Sequence, residues 1–428
     1  MRLRFPTPAA STWSGSFTVR RLALVVAATA ASMHLAGCGG ANGAAVGPLP
    51  VQENVQTGPA DARFWDAIQQ RRIPATAQRG DILRVQERDD APAGSKGYNV
   101  IYVSEGADGT LAYVSGMVFY PTANAGSTTR PVMLWNHETS GSGDVCAPSR
   151  NGVALSWTPQ RVHGLAEYLS KGYVVVASDY QGLGTPGATV YMQGQPQAKS
   201  SLDIVLAAQR LAGTNAGNQV AMAGWSQGGQ TSLWAASIAP AYAPNLQIVG
   251  AALLAPAART LELVEYEAAN TSYGAYYMAI HAGMQAGHPE LNLKDVITVD
   301  GLELLPHLAY DCFDLWNVVA TKKPVVAKLE GLAPGTPWRA AHEANQAFLP
   351  IQPRVPFVVF QGTADPDVPV DMTRRLVKDM CASGSRDVEL RELPNGDHDT
   401  AFMETVPDVV KWIEGRFTGA ATTPNCSN

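Results

Sequence analysis

The sequence has no excess of basic residues, since 31 lysines and arginines stand against 37 aspartates and glutamates, for a formal net charge of -6. The positive surface that nucleic-acid binding requires is therefore missing. Nor does the chain lack apolar residues, because 46% of it is hydrophobic, which excludes a mainly disordered protein. Its 428 residues exceed what one hydrophobic core usually serves, so we expect two domains or one large domain with an insertion.

Cysteine is scarce, and the five cysteines are an odd number that needs an explanation. Residues 1–37 contain four arginines and no acidic residue, and an apolar run from Leu22 to Ala31 precedes Leu35-Ala36-Gly37-Cys38. This pattern predicts a secretory signal peptide, since the run is short for a bilayer span. Leu-Ala-Gly-Cys resembles the bacterial lipobox, in which the cysteine becomes the lipidated first residue. The alternative is an ordinary signal peptide in which Cys38 falls at this place by chance.

The first segment therefore predicts an exported protein, either a membrane-anchored lipoprotein of the cell envelope or a secreted one. Residues 38–60 are rich in glycine, alanine and proline and are expected to form a flexible tether. In an oxidising compartment the remaining cysteines permit two disulfides with three possible connectivities. These cysteines are Cys146, Cys312, Cys381 and Cys426.

Beyond the tether, strand-like and helix-like segments alternate. Short strand-like runs begin near residue 80, and apolar runs then alternate with helical stretches, such as Leu202–Ala212, as far as Ala255. Such alternation predicts an α/β fold with a mostly parallel sheet flanked by helices. The alternation stops between about 259 and 350 and then resumes. We therefore predict a sheet domain over 61–258 and 351–428, interrupted by a helical cap insertion over 259–350.

Gly224-Trp225-Ser226-Gln227-Gly228 is the only Gly-x-Ser-x-Gly in the chain. Its context gives it weight, because Val220–Ala223 is a short apolar strand and the sequence from Gln227 onward is helical. A nucleophile elbow lies at such a strand-to-helix turn, which is too tight for side chains around the serine. The pattern predicts Ser226 as a nucleophile at a helix N-terminus, whose dipole favours developing negative charge. The alternative is a glycine-rich turn without a chemical role.

A serine nucleophile needs a histidine base and a carboxylate that orients the base. In α/β-hydrolases the three follow in the order serine, acid, histidine. Of the eight histidines, only His398 lies beyond the serine, after a strand and outside the predicted cap. The predicted strand Val355–Phe360 leads to Asp365, the first carboxylate after it and our predicted acid. Asp367 is the competitor, and Asp397 is too close in sequence to His398.

Two N–H groups are expected to stabilise an oxyanion. One should come from Gln227, which follows the nucleophile, and the second from the loop after an earlier strand. That loop is Asn136-His137-Glu138-Thr139. Thr139 is the predicted second donor, and Glu138 is the alternative. His137 precedes the serine, so the order of the triad excludes it as the base and leaves it a loop-shaping role.

With these residues, the chain resembles the secretory lipase family of α/β-hydrolases. The resemblance spans roughly residues 80–420 and rests on Cys146-Ala147-Pro148-Ser149, Asp179-Tyr180-Gln181-Gly182-Leu183-Gly184, Gly224-Trp225-Ser226-Gln227-Gly228-Gly229, Gly362-Thr363-Ala364-Asp365 and the His398 loop. It implies a helical cap after the sixth strand of the fold, no metal or cofactor, and a triad of Ser226, Asp365 and His398. It also implies the disulfides Cys146–Cys312 and Cys381–Cys426. Family members often have His-Gly-Thr in the oxyanion loop, where this chain has His137-Glu138-Thr139.

The predicted function is that of a serine ester hydrolase, a lipase or esterase acting on acylglycerols or other hydrophobic esters through an acyl-enzyme. Tyrosines and methionines of the cap are expected to line an acyl pocket or, alternatively, to pack the cap's own core; they are Tyr266, Tyr273, Tyr276, Tyr277, Met278 and Met284. Two other functions stay open. A serine peptidase of the same fold would carry an acidic or amine-recognising cluster in the cap, and a catalytically silent surface lipoprotein would be expected to lack a triad member.

Overall fold

The computed structural model describes residues 55–56, 64–65, 72–123, 129–150, 162–310, 312, 325–346, 348–351 and 355–426. The predicted signal peptide and Cys38 lie outside these residues and stay predictions. Of the predicted tether only Val55–Gln56 is described, and these two residues form a short strand where the composition led us to expect irregular chain.

A mostly parallel sheet runs through the described part of the chain. Its strands are β1 (Val55–Gln56), β2 (Ile82–Arg88), β3 (Ser95–Glu105), β4 (Leu111–Pro121), β5 (Arg130–Asn136), β6 (Val174–Ser178), β7 (Ala216–Trp225), β8 (Gln247–Leu254), β9 (Phe357–Gly362) and β10 (Val388–Leu393). Their order in the sheet is β1-β2-β3-β4-β6-β5-β7-β8-β9-β10. The pairs β2–β3, β3–β4 and β4–β6 are antiparallel, and all other neighbours are parallel.

Helices cover both faces of this sheet. The α-helices described are α1 (Leu165–Ser170), α2 (Gly194–Arg210), α3 (Gln227–Tyr242), α4 (Thr260–Ala269), α5 (Gly274–Gly287), α6 (Val299–Tyr310), α7 (Pro337–Ala344), α8 (Val370–Ala382), α9 (Thr400–Met403) and α10 (Val406–Thr418). Alternate residues of a strand face opposite sides. Val132 and Leu134 accordingly join the core under α2, α3 and α8, whereas Met133 and Trp135 join the core under α1 and α10. Two buried faces are what a parallel sheet requires.

Helix α2 begins at Gly194, well before the start that the apolar pattern predicts at Leu202. The extra residues are small or polar, so they carry no helical periodicity of apolar side chains. Ser200 and Ser201 are nevertheless fully buried. Their hydroxyls donate to Pro196 O at 3.0 Å and to Asn136 Oδ1 at 2.6 Å. Because these hydrogen bonds satisfy the buried hydroxyls, this end of the helix is buried without apolar residues.

Helices α4 to α7 lie between β8 and β9 and form an inserted helical cap with a core of its own. Tyr277, Met278 and Met284 are buried in that core. These three residues therefore pack within the cap, which was the alternative to lining an acyl pocket. The fold is therefore an α/β sheet domain interrupted by a helical cap.

Two disulfides cross-link distant parts of the chain. Cys146, after β5, is bonded to Cys312 in the segment between β8 and β9, and Cys381 of α8 is bonded to Cys426 near the chain end.

No helix among the described residues has both the length and the apolar character needed to cross a bilayer.

Candidate active site

Ser226 occupies the turn between β7 and α3. It is the residue between Trp225, where the strand ends, and Gln227, where the helix begins, and its φ is 54°. That left-handed conformation is strained for a residue with a side chain and persists only where the surroundings impose it. The Ser226 N–H donates to Leu254 O at 2.8 Å, and Ser226 O accepts from the Ala257 N–H at 3.1 Å. The neighbouring strand β8 and the residues after it thus hold the turn.

The two glycines of the motif allow the chain segments around the serine to meet. A Cβ at Gly224 would lie 2.1 Å from Gly228 O, and a Cβ at Gly228 would lie 1.9 Å from Asn136 O. Neither distance is compatible with a side chain. Glycine is therefore required at both positions because the backbone of another segment lies so close, and not because the turn must be flexible.

His398 follows β10 and lies against Asp365, which follows β9. His398 Nδ1 and Asp365 Oδ2 are 2.8 Å apart, and both residues are buried. Asp397 is exposed and instead accepts hydrogen bonds from Thr400. Of the carboxylates that we considered as the acid, Asp365 is the one that the structure shows hydrogen-bonded to the imidazole.

The Asp365 carboxylate is held by donors on both oxygens. Oδ1 accepts from the N–H groups of Asp367 and Val368 at 2.9 and 2.8 Å, and Oδ2 accepts from Gln361 Nε2 at 2.9 Å in addition to the imidazole. Thr373 Oγ1 donates to Gln361 Oε1 at 2.6 Å and so orients that amide. Gln361 was not among the predicted site residues. A glutamine at the end of an otherwise apolar strand was the available signal.

The electrostatic environment raises the pKa of His398 above its ordinary value. Burial is the largest single influence and lowers the pKa, but the hydrogen bond and charge of Asp365, with the charges of Asp367 and Asp399, together outweigh it. The imidazole therefore gains protons at a higher pH than a free histidine would.

Asp365, Asp367 and His398 also bring potential metal-ligand atoms within 4.8 Å of one another. The four hydrogen bonds to Asp365 already use the lone pairs of its two oxygens. The arrangement suits the orientation of an imidazole better than the binding of a cation.

Ser226 and His398 line one small cavity of about 30 Å³ beneath the cap. Its wall is partly apolar and partly hydroxylic, and it consists of Thr139, Tyr191, Met192, Ser226, Ala257, Leu263, Glu267, Tyr273, Tyr276, Ile280, Asp367, Val368 and His398. Tyr273 and Tyr276 thus lie where we expected cap aromatics to line a pocket. The hydroxyls of Tyr266 and Tyr273 both donate to Pro366 O, at 2.7 and 2.8 Å, so the cap is hydrogen-bonded to the loop that carries Asp365.

Of the two predicted oxyanion residues, Thr139 lines this cavity and Gln227 directly follows Ser226 in the chain. Gln227 is the first residue of α3, and an N–H at this position has no acceptor within its own helix. Thr139 lines the cavity, and its Oγ1 lies 2.8 Å from the Tyr191 hydroxyl. His137 Nδ1 lies 2.6 Å from Glu138 O, and its ring stacks on Tyr180 at 4.3 Å. These contacts agree with a loop-shaping position for His137.

A buried carboxylate joins the Cys146-Ala147-Pro148-Ser149 segment to the Asp179-Tyr180-Gln181-Gly182 segment. Asp179 is fully buried and accepts hydrogen bonds from the N–H of Ser149 at 2.9 Å, from the Ser149 hydroxyl, and from Ser115 Oγ at 2.6 Å. Burial raises the pKa of Asp179, and the hydrogen bonds from the two serines oppose that effect. Asp179 thus fixes the segment after β5, which carries Cys146, to the end of β6.

The sheet, the strained serine turn and the histidine–aspartate pair define an α/β-hydrolase. Solved structures share this fold: the chain has a TM-score of 0.69 with Candida antarctica lipase A at 19% identity, over 82% of this chain and 85% of that one. With the rice cell wall degrading esterase LipA from Xanthomonas oryzae the TM-score is 0.63 at 18% identity, over 80% and 100% of the two chains.

The secretory lipase family profile matches residues 156–318 and 341–425, and the chain belongs to this family. Among its relatives, Lipase 6 of Candida albicans is 25% identical over 381 residues, which are 82% of this chain and 80% of the relative. Lipase A of Moesziomyces aphidis is 23% identical over 305 residues, 65% and 63% of the two chains. The protein is therefore a hydrolase of the lipase and esterase class, and its secretory family indicates export.

Proposed function

We propose that the protein hydrolyses hydrophobic carboxylic esters, acylglycerols among them, with Ser226, His398 and Asp365 as its catalytic triad. The observation that carries the proposal is the 2.8 Å contact between His398 Nδ1 and Asp365 Oδ2 beside a cavity that Ser226 also lines. Because Nδ1 is hydrogen-bonded to Asp365, Nε2 is the ring nitrogen that can accept the serine proton.

In acylation, Ser226 Oγ attacks the ester carbonyl carbon while its proton passes to His398 Nε2. The tetrahedral intermediate collapses when the bond to the alcohol oxygen breaks, and the imidazolium returns the proton to the departing alcohol. A water molecule then gives a proton to the same nitrogen and attacks the acyl-enzyme. The carboxylic acid leaves, Ser226 regains its proton, and one ester and one water have been consumed.

We assign two hydrogen-bond donors to the oxyanion of both tetrahedral intermediates. One is the N–H of Gln227, and the other is a donor of the loop after β5. The N-terminus of α3 supports the first assignment, because the Gln227 N–H has no acceptor within its own helix and the helix dipole favours negative charge there. For the second donor, Thr139 is favoured over Glu138 because Thr139 lines the cavity. Each such donor contributes roughly 3 kcal/mol to transition-state stabilisation.

The cavity wall supports an acyl substrate. Leu263 and Ile280 from the cap, with Met192 and Val368, give the cavity apolar surface, which suits a hydrocarbon chain. The two relatives described above are lipases by name, which favours acylglycerols among the possible hydrophobic esters.

The peptidase alternative would require an acidic, amine-binding cluster in the cap. Glu267 of α4 does line the cavity with Asp367, but burial and the charge of Asp367 raise the pKa of Glu267 well above its ordinary value. Among the described wall residues Glu267 is the one acid that the cap contributes, and in its neutral form it offers no charge to an ammonium group. The cap therefore supplies no acidic cluster, and the ester hydrolase is favoured. A catalytically silent lipoprotein is not favoured either, because each of the three proposed triad positions is occupied by a competent residue.

We further propose that the mature protein begins at a lipidated Cys38 and is held at a membrane of the cell envelope. The support is the Leu35-Ala36-Gly37-Cys38 pattern after a short apolar run. Membership of a secretory family agrees with export.

The triad is tested by Ser226→Ala, which should lower p-nitrophenyl butanoate turnover by at least about 10³-fold. Ser237→Ala, a half-buried position on the same helix that does not line the cavity, is the matched control and should retain activity. A fluorophosphonate probe should label the wild-type protein on the peptide that contains Ser226. Retained turnover in Ser226→Ala, or labelling on another residue, would refute the assignment.

A further inference from the structure

Glu267 is a buried carboxyl group that the proposed mechanism does not use. It lies on α4, only 4% of the residue is exposed, and it lines the cavity that holds Ser226 and His398. Its Oε2 makes no hydrogen bond to any residue that the structure describes. Buried polar atoms are nearly always hydrogen-bonded in folded proteins, and an exception needs an explanation.

The packing of the cap does not explain this carboxyl. Leu263, one turn earlier on α4, lines the same cavity and also packs into the cap core. A leucine at position 267 could fill similar volume without the cost of an unpaired polar group, which is about 1–3 kcal/mol. We therefore look for the partner that would offset this cost in the cavity, where the proposed function places the substrate.

The protonation state of Glu267 limits the chemistry of that partner. Burial raises its pKa well above the ordinary value, and the negative charge of Asp367 raises it further. The cavity wall contains no lysine or arginine among the described residues. A neutral carboxyl carries an O–H donor, whereas binding a cation there would first require the ionisation of a dehydrated acid.

We propose that the carboxyl O–H of Glu267 donates a hydrogen bond to an acceptor oxygen that the substrate carries away from the scissile ester bond. The substrate class is thus an ester that carries a second carbonyl oxygen away from the bond that is cleaved. A plain hydrocarbon at this place would leave the O–H unpaired, so the site discriminates against it. This inference rests on the proposed function and names the substrate class of the same site.

Two pairs of matched esters test the inference, one for each side of the scissile bond. On the acyl side, p-nitrophenyl 4-oxopentanoate is compared with p-nitrophenyl 4-methylpentanoate. On the alcohol side, 4-oxopentyl butanoate is compared with 4-methylpentyl butanoate. In each pair a carbonyl oxygen replaces a methyl group of similar size. The readout is the ratio of kcat/KM within the pair, divided by the same ratio for hydroxide-catalysed hydrolysis, which removes intrinsic reactivity.

The wild-type protein should prefer the keto ester about tenfold in at least one pair. Glu267→Leu should bring that ratio close to 1, and Glu267→Gln, whose amide also donates, should keep most of it. Glu265→Gln is the matched control, because Glu265 is exposed on the same helix and does not line the cavity. Fluorophosphonate titration counts active sites in every variant, and Glu267→Met replaces Glu267→Leu if the leucine variant does not fold.

No preference in either pair for the wild-type protein would overturn the inference without any variant. A preference that survives Glu267→Leu or Glu267→Met would overturn it as well. Failure of the proposed function is a separate result, since it appears as turnover that persists in Ser226→Ala.

Discussion

The indole ring of Trp225 lies 5.3 Å from the imidazole ring of His398, measured between centroids. Trp225 is the residue before the proposed nucleophile, and it also stacks on Phe402 at 4.7 Å. The elbow and the proposed base, which are far apart in the sequence, are therefore packed directly against each other. Asp365 fixes one edge of the imidazole through its hydrogen bond, and Trp225 restricts where the ring can lie.

Trp225→Ala should therefore lower kcat for p-nitrophenyl butanoate by roughly 10- to 100-fold, because small displacements of a catalytic group carry such penalties. Trp225→Phe should retain most of the activity, since an aromatic ring still contacts His398. The measurement is kcat per fluorophosphonate-titrated site, which separates misplacement from loss of folded protein. Equal activity in the alanine and wild-type proteins would show that the contact does not position the base.

The hydrogen bonds of Asp365 predict unequal effects for the two neighbouring aspartates. Asp365→Asn should lower kcat by about 10⁴-fold, because an amide in place of the carboxylate favours the wrong imidazole tautomer. Asp367→Asn is the matched variant two residues away. It should cost far less, because the Asp367 backbone N–H, and not its side chain, binds Asp365. The reverse order of effects in steady-state kinetics would make Asp367 the acid.

The raised pKa of His398 sets the pH dependence of the reaction. The base must be neutral to accept a proton, so kcat/KM should fall as the pH drops through a value above the ordinary histidine pKa of about 6.5. The negative charge of exposed Asp399 contributes to that raised pKa. Asp399→Asn should therefore move the acidic limb of the profile to lower pH, whereas Asp371→Asn, exposed on α8, should leave it in place. A shift to higher pH in Asp399→Asn would contradict the electrostatic account.

The α/β fold and the cap could be predicted because alternating strands and helices leave a local apolar pattern in the sequence. The position of Ser226 could be predicted because it lies where a strand passes into a helix. The contact between Asp365 and His398 followed from the order of residues after successive strands. Gln361, Glu267 and the Ser149–Asp179 contact could not be predicted. Their importance lies in the burial of polar groups, and burial depends on segments distant in sequence. The early start of α2 was missed for the same reason.

The bond between Cys381 and Cys426 closes a loop with a sequence separation of 45 residues. It ties α8 to the chain end, where the Asn425 N–H also donates to Val388 O of the edge strand β10 at 2.9 Å. Replacing both cysteines with serine should lower the free energy of unfolding by about 4 kcal/mol, since the unfolded chain regains the entropy of an open loop. Urea unfolding of the double variant, and of wild-type protein with and without reductant, measures the effect. Unchanged stability in both experiments would mean that the chain end does not depend on the bond.

The proposed anchor predicts the chemical state of the mature N-terminus. If Cys38 is the lipidated first residue, the membrane fraction should contain a chain that begins at Cys38 and carries added acyl mass, because stable anchoring needs more than a single acyl chain. Cys38→Ser removes the acceptor sulfur and should release active enzyme from the membrane, since the sheet domain and the cap are unchanged. Mass spectrometry of the N-terminal peptide and ester turnover in the membrane and soluble fractions provide the measurements. An unmodified mature chain that starts at another residue would remove the anchor and leave a freely secreted enzyme.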